Sequence, residues 1–278
     1  MSKLIFYDVD GTLIGKSRTI TENNKQALHL ARQNEHKVFL CTGRNPVSAF
    51  NGLEGLETDG LITLAGGLVS VNNKIIYENS IDIKTLNYFM KLFDDNHIYY
   101  SLETKLGNYH IKGLQDFYLD WIDEHYKGDS KAIALLKKDK VGENQYSIHD
   151  FNSHEVSVQK MTFVAEDRND FKRVKDKIEE IFHINYFVKD KSYIDGELIL
   201  KTCTKVHGIQ KILDYYQMNV QDTIAFGDSM NDLQMIKFVN QGIVYENAPE
   251  ELKQEAIEYF GDPDQDAIYH TMKKLNLI

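Results

Sequence analysis

Short apolar runs recur along the chain, and several of them stop on glycine, hydroxyl or carboxylate residues. Leu4-Ile5-Phe6-Tyr7 reads as a buried strand that ends on Asp8-Val9-Asp10-Gly11-Thr12-Leu13. Thr21 predicts an N-cap for a helix reaching about Glu35, with Ala27, Leu28, Leu30 and Ala31 on its apolar side and Asn23 and Asn24 weakening its start. Val38-Phe39-Leu40 is a second strand, ending on Cys41-Thr42-Gly43-Arg44. Leu61-Ile62-Thr63-Leu64 is a third, running into Gly66-Gly67, and Lys74-Ile75-Ile76-Tyr77 is expected in a small hairpin. Strands alternating with a helix favour a parallel sheet with crossover helices.

From Ile83 to Leu200 the texture changes. Helical stretches at Lys84 to Asn96 and Asn169 to Ile181 flank alternating segments such as Ile98-Tyr99-Tyr100-Ser101-Leu102 and Met161-Thr162-Phe163-Val164-Ala165. This predicts a mixed α+β region with an antiparallel sheet, its aromatic residues mostly in the core; residues 116–150 carry no clear period. The earlier pattern then resumes. Val206, Ile209, Leu213 and Tyr216 mark an amphipathic helix that opens at Lys205. Thr223-Ile224-Ala225-Phe226 is a fourth buried strand, ending on Gly227-Asp228-Ser229-Met230-Asn231-Asp232, and Gly242-Ile243-Val244 is a fifth. The reading is a doubly wound, Rossmann-like α/β core made of residues 1–82 and 201–278, interrupted by an inserted α+β cap at 83–200.

At 278 residues the chain is long enough for about two domains. Its net charge of -10 argues against nucleic acid or an anionic membrane as partner, yet leaves room for a small anionic substrate held by a metal and a few local cations. The N-terminal residues form no secretory h-region, and the weakly polar run from Leu61 to Val71 is too short to span a membrane. Two cysteines, Cys41 and Cys203, give neither a disulfide framework nor a metal knuckle, so a reduced cytoplasmic setting is expected. Oligomeric state is not readable. No Walker loop, dinucleotide fingerprint or Gly-x-Ser-x-Gly elbow is present. Asp262-Pro263-Asp264-Gln265-Asp266 lacks the glycine and glutamate of a calcium loop and reads as a turn before the last helix.

Four signals fall in order at strand ends or a helix start: Asp8-x-Asp10-Gly-Thr, Thr42-Gly-Arg, Lys205 and Gly227-Asp228-Ser-Met-Asn231-Asp232. Together they resemble the haloacid-dehalogenase superfamily, and an insertion between the second and third signals resembles its Cof-type branch, with a type IIB cap. The resemblance implies a phosphatase acting through an aspartyl-phosphate on small phosphorylated metabolites, either sugar phosphates or phosphorylated cofactors. Asp8 would be the nucleophile. Asp10 would be the acid and then the base, kept protonated at first by a neighbouring carboxylate. Lys205, Thr42, Gly43 and Asn231 would bind the phosphoryl group. Mg2+ would be held by Asp8, the backbone carbonyl of Asp10, and Asp228, with Asp232 orienting Lys205 and the metal shell. Arg44 is read as a solvated or capping side chain outside the catalytic set. Ala65-Gly66-Gly67 and Tyr245-Glu246-Asn247-Ala248 depart from the Asn-Gly-Ala and Met-Gly-Asn-Ala runs common in that branch. A sugar phosphomutase and a low-turnover phosphate-binding regulator are the alternative readings.

Overall fold

A computed structural model describes residues 2–187 and 192–278, the side chains at 131, 132, 135 and 138–140 excepted. The chain begins with β1 (Leu4–Tyr7), α1 (Glu22–Gln33), β2 (Lys37–Cys41), β3 (Gly60–Thr63), β4 (Leu68–Val71) and β5 (Lys74–Glu78). It continues through α2 (Ile83–Asp94), β6 (Tyr99–Thr104), β7 (Gly107–His110), α3 (Leu114–His125), α4 (Ser130–Val141), β8 (Gln145–Ser147), β9 (Lys160–Ala165), α5 (Arg168–Ile181), β10 (Phe182–Tyr186) and β11 (Ile194–Leu200). It closes with α6 (Lys205–Tyr216), β12 (Thr223–Gly227), α7 (Leu233–Phe238), β13 (Gln241–Tyr245), α8 (Glu250–Lys253), β14 (Glu258–Phe260) and α9 (Ala267–Lys274). These elements form two compact units, one of Met1–Arg44, Ala49–Glu78 and Cys203–Ile278, the other of Asn45–Ser48 and Asn79–Thr202.

The first unit is α/β. Its sheet runs β14-β13-β12-β1-β2-β3-β4-β5. The six strands from β14 to β3 are parallel, and β4 and β5 add an antiparallel hairpin. Successive side chains of a strand point to opposite faces, and here both faces are covered, which is why β1 is apolar at every position. Ile5, Tyr7, Leu40 and Phe226 pack on one side with Ala27 and Leu28 of α1 and Ile268 and Met272 of α9. Leu4, Phe6, Phe39 and Ala225 pack on the other with Ile209 and Ile212 of α6 and Met235 of α7. Burying a side chain such as Phe226 contributes roughly 1.5–3 kcal/mol, so β1 and β12 anchor the sheet that carries the strand-end motifs.

Thr21 caps α1 as its sequence predicts, accepting a hydrogen bond from the Asn24 amide. Asn24 itself is fully buried: its side-chain nitrogen donates to the Pro263 carbonyl, and its oxygen accepts from the Tyr269 amide. A residue that weakens a helix locally is here the polar tie between α1 and the C-terminal segment. Asp262 to Gln265 form the expected turn before α9, in which Asp264 accepts from the Ser17 amide and hydroxyl.

The second unit is α+β, with strand order β10-β11-β9-β6-β7-β8. Its pairs are antiparallel except β7 with β8, which run parallel, because the residues between them form α3 and α4 as a crossover. One face of this sheet is apolar: Tyr100, Leu102, Met161, Phe163 and Leu198 pack on Phe89 and Phe93 of α2 and on Phe171 and Val174 of α5. The alternate residues are polar yet buried. Lys160 Nζ lies 2.5 Å from Glu197 Oε2 and 3.1 Å from Glu103 Oε2, so the buried ammonium is paired on two sides.

Candidate active site

The first unit gathers Asp8, Asp228, Asp232 and Lys205 at the carboxyl ends of β1 and β12 and at the first residue of α6. The Asp8 amide continues the β1 ladder by donating to the Phe226 carbonyl at 3.0 Å, which fixes where its side chain leaves the sheet. Just beyond it the amides of Thr12, Leu13 and Ile14 all donate to the Val9 carbonyl, a turn tight enough to present Asp8 and Asp10 on either side of Val9. Gly11 sits in that turn at φ +96, and a Cβ there would lie 2.2 Å from Asp228 Oδ2. Glycine is therefore what lets the Asp228 carboxylate come close. Thr12 Oγ1 then donates to Asp228 Oδ1 at 2.9 Å.

Lys205 is 5% exposed, and its Nζ donates to Asp8 Oδ1 at 2.5 Å and to Asp232 Oδ1 at 2.6 Å. Thr204 caps α6 through its hydroxyl, which sets the first turn and so the root of Lys205. Asp232 is fully buried and its other oxygen accepts from the amides of Asp228 and Ser229, with Ser229 completing a capping box. Both of its oxygens are engaged, so its place in the cluster is to hold Lys205 and the Asp228 loop. Asn231, one residue earlier, is exposed; its side-chain oxygen accepts from the Ser229 hydroxyl, leaving its NH2 group as the donating end.

Thr42 stands at the end of β2, 2% exposed, with its amide donating to the Ile62 carbonyl. Its hydroxyl oxygen accepts from the Arg44 amide at 3.1 Å, which leaves the hydroxyl hydrogen as the group it can donate. Gly43 lies between these two residues. The adjoining turn is in the left-handed region at Leu64, Ala65 and Gly66 (φ 54, 57 and 101). The Ala65 amide donates to the Thr42 carbonyl, and a Cβ on Gly66 would lie 2.1 Å from the Thr204 carbonyl oxygen. Where the Cof-type branch commonly has Asn-Gly-Ala, this chain thus wedges a small, strained turn between the Thr42 loop and the cap of α6.

Arg44 requires a correction. It is not a solvated side chain: Nε and Nη2 fork the two oxygens of Asp10 at 2.8 and 2.6 Å, and Nη1 donates to the Asn51 carbonyl at 2.7 Å. The group on Asp10 is this guanidinium, where the sequence led us to expect a carboxylate. The signal available beforehand was an arginine two residues past Thr42, in a loop that follows a strand adjacent to β1.

The electrostatics set what the cluster can hold. One carboxylate oxygen from each of Asp8, Asp228 and Asp232 lies within 4.8 Å of the others. Burial, helped by Asp232 and Asp228 and opposed by Lys205, pushes the Asp8 carboxyl well above its ordinary range. Burial and then the Asp232 charge push Asp228 up to about 7. For Lys205, burial acts to lower the pKa, but Asp232 and Asp8 outweigh it and hold the ammonium charged. With all three carboxylates ionised, the one ammonium would leave an excess of two negative charges, and the raised carboxyls of Asp8 and Asp228 reflect how unfavourable that is without a further cation; hard oxygen donors so placed fit a divalent cation such as Mg2+.

The chain belongs to the haloacid dehalogenase-like hydrolases, whose family profile it matches over residues 5–272. Within that family it resembles phosphatases throughout its length. It is 25% identical over 277 residues to the putative phosphatase YkrA of Bacillus subtilis (strain 168), with 100% of this chain and 99% of that protein covered. It is 23% identical over 274 residues to the 5-amino-6-(5-phospho-D-ribitylamino)uracil phosphatase YitU of the same organism, covering 98% and 96%. Among solved structures, a HAD subclass IIB sugar phosphatase superposes with a TM-score of 0.78 at 22% identity, covering 100% of both chains.

Proposed function

We propose that this protein is a Mg2+-dependent phosphatase that hydrolyses small phosphorylated metabolites, sugar phosphates or phosphorylated cofactors, through an aspartyl-phosphate on Asp8. The observation that carries the reading is Lys205 Nζ bonded to both Asp8 and Asp232 at a buried, negatively charged strand end. A bound Mg2+, held by the carboxylates of Asp8 and Asp228 with the backbone carbonyl of Asp10, would neutralise charge on the phosphoryl oxygens. Family membership and the sugar- and ribityl-phosphate relatives support the substrate class.

In this mechanism the phosphoryl oxygens take hydrogen bonds from the Thr42 hydroxyl, the Gly43 amide, the Asn231 amide group and Lys205. Asp8 attacks phosphorus in line, and the ester bond to the leaving oxygen breaks. Asp10 gives its proton to that oxygen and later takes one from the water that cleaves the aspartyl-phosphate. Both Asp10 oxygens are forked by Arg44, so carrying a proton requires Arg44 to release one of them. Asp232 positions Lys205 throughout. The inserted region, residues 83–200, is the part of the chain we assign to substrate choice. We place the enzyme in the reducing cytoplasm, in keeping with Cys41 and Cys203 being buried and outside any disulfide.

The test is a phosphate-release screen over a broad metabolite panel with Mg2+, using Asp8→Asn as the blank. Release of phosphate from sugar or cofactor monoesters by the wild type alone is expected. Near-normal turnover by Asp8→Asn would overturn the nucleophile, and phosphate bound but never released from any ester would overturn the phosphatase reading.

A further inference from the structure

The chain leaves the turn that bears Asp8 and Asp10 through a loop with little core beneath it. Lys16, Ser17 and Thr19 are exposed, and the next buried side chain after Ile14 is Ile20. What holds this loop is a carboxylate from the turn before α9. Asp264 Oδ2 accepts from the Ser17 amide at 2.9 Å and Oδ1 from the Ser17 hydroxyl at 2.7 Å, nearer than the Thr19 carbonyl at 3.0 Å that competes for the same hydrogen. Gly15 makes room for it: a Cβ there would lie 2.7 Å from Asp264 Cγ. Gly15 is not in the left-handed region, so its backbone does not call for glycine, whereas the approach of Asp264 does. Asp264 is itself anchored. Its amide donates to Asp262 Oδ1, and the buried Asn24 side chain donates to the carbonyl of neighbouring Pro263.

The clasped loop supports both partners of the Asp10–Arg44 fork. Toward Asp10, the Arg18 amide donates to the Gly15 carbonyl, and Ile14, next to Gly15, makes the β-bridge to Asp10 while its carbonyl accepts from the Gly11 amide at 2.9 Å. Toward Arg44, the Ile20 amide donates to the Gly52 carbonyl at 2.8 Å, and a Cβ on Gly52 would lie 2.4 Å from the Arg18 carbonyl oxygen. Gly52 follows Asn51, whose carbonyl takes Nη1 of Arg44. The Asp10 side chain is 53% exposed, so packing does not aim it, and its direction comes from these bonds. We propose that Asp264 is a positioning residue for Asp10. Through the loop of residues 15–20 it holds the backbone that carries the proton donor and the Asn51 carbonyl that anchors the donor's guanidinium partner. This role rests on the reading of Asp10 as acid and then base, and adds to that machinery a side chain that touches neither substrate nor metal.

Two readouts on the full chain test this, one of which needs no turnover. The Arg44 Nε–H, bonded to Asp10, gives a 15N–1H resonance assignable by its loss in Arg44→Lys, and Asp264→Ala should shift or broaden it. In Mg2+, Asp264→Ala should lower kcat on an alkyl phosphate roughly 5–20-fold and on a nitrophenyl ester less than about twofold, with KM and the Mg2+ activation constant near wild type. Asp264→Asn keeps one acceptor oxygen and should lose less. Gly15→Ala displaces the carboxylate without removing it and should behave as Asp264→Ala. In an Arg44→Ala background, Asp264→Ala should add less than about twofold, because both act through Asp10. An unmoved Arg44 resonance, equal losses on the two esters, as partial unfolding would give, or multiplicative losses in the double variant would each overturn the role of Asp264. If the wild type turned over neither ester while Asp264→Ala still moved the resonance, the phosphatase reading would fall and the hold on Asp10 would stand.

Discussion

Arg44 grips Asp10 through both carboxylate oxygens while its third nitrogen is tied to the Asn51 carbonyl, so the guanidinium is itself held in place. A bidentate fork fixes direction as well as distance. Asp10, 53% exposed at its side chain, is presented by a partner that the Thr42 loop supplies.

Replacing Arg44 by Ala is accordingly expected to lower kcat by roughly 10–100-fold, since in the proposed mechanism Asp10 is the proton donor and a misplaced donor loses much of the general-acid contribution. The loss should be large for alkyl phosphates and small for a nitrophenyl ester, whose leaving group needs little protonation. Equal losses on the two substrates would show that Arg44 does not act through Asp10.

Removing the ammonium of Lys205 leaves Asp8 and Asp232 buried beside each other without their shared cation. Lys205→Met should destabilise the protein by roughly 3–5 kcal/mol in urea unfolding, with part of the loss recovered by Mg2+. A change under about 1 kcal/mol would mean that the pairing contributes little to the fold.

The raised carboxyl of Asp228 makes stability depend on pH with a definite sign. In metal-free protein the native state keeps a proton up to about pH 7, whereas the unfolded chain releases it near pH 3.9. Between these values the native state binds more protons, so this group's contribution to stability falls as pH rises. Thermal unfolding in EDTA should therefore show a wild-type melting temperature that drops relative to Asp228→Asn from about pH 5 to about pH 7.5, and stabilisation by Mg2+ should grow over the same interval. Parallel curves for the two proteins would contradict this.

Gly11→Ala places a methyl group where Asp228 Oδ2 now sits and forces an L side chain to φ +96. The expected result is a Mg2+ activation constant raised roughly 10–100-fold with near-native circular dichroism, because the change moves the carboxylate that the proposed mechanism gives to the metal without touching the core. An unchanged activation constant would show that the close approach of Asp228 is dispensable.

The strand ends bearing Asp8, Thr42 and Asp228 were legible because apolar runs of only three or four residues, each stopping on glycine, hydroxyl or carboxylate residues, fit buried strands better than helices, and ligands of open α/β sheets bind where such strands end. The cap at Thr21 was legible for a local reason, a side chain reaching an amide three residues on. What the sequence hid depends on partners far away along the chain. Asn24 looks like a poor helix residue until Pro263 and Tyr269 arrive beside it, and Arg44 looks solvated until its loop turns back over Asp10. Residues 116–150 gave no period because α4 has little apolar asymmetry, and on α3 the half-buried rings of Phe117 and Trp121 sit beside the buried stripe of Leu114, Tyr118 and Ile122 and blur it.

The central strand β1 has β2 on one side and β12 on the other, and the second neighbour arrives late: Thr12, just past β1, and Asp228, just past β12, are 216 positions apart. At ribosomal rates that interval takes roughly ten to forty seconds, during which one edge of Leu4–Tyr7 has no native strand to pair with. The second unit, all but Asn45–Ser48 of it in the single run Asn79–Thr202, can be completed in the meantime. A nascent chain thus carries an open, apolar β edge until its last third is made, so a chaperone that shields Leu4–Tyr7 would raise the yield of active protein without altering its equilibrium stability.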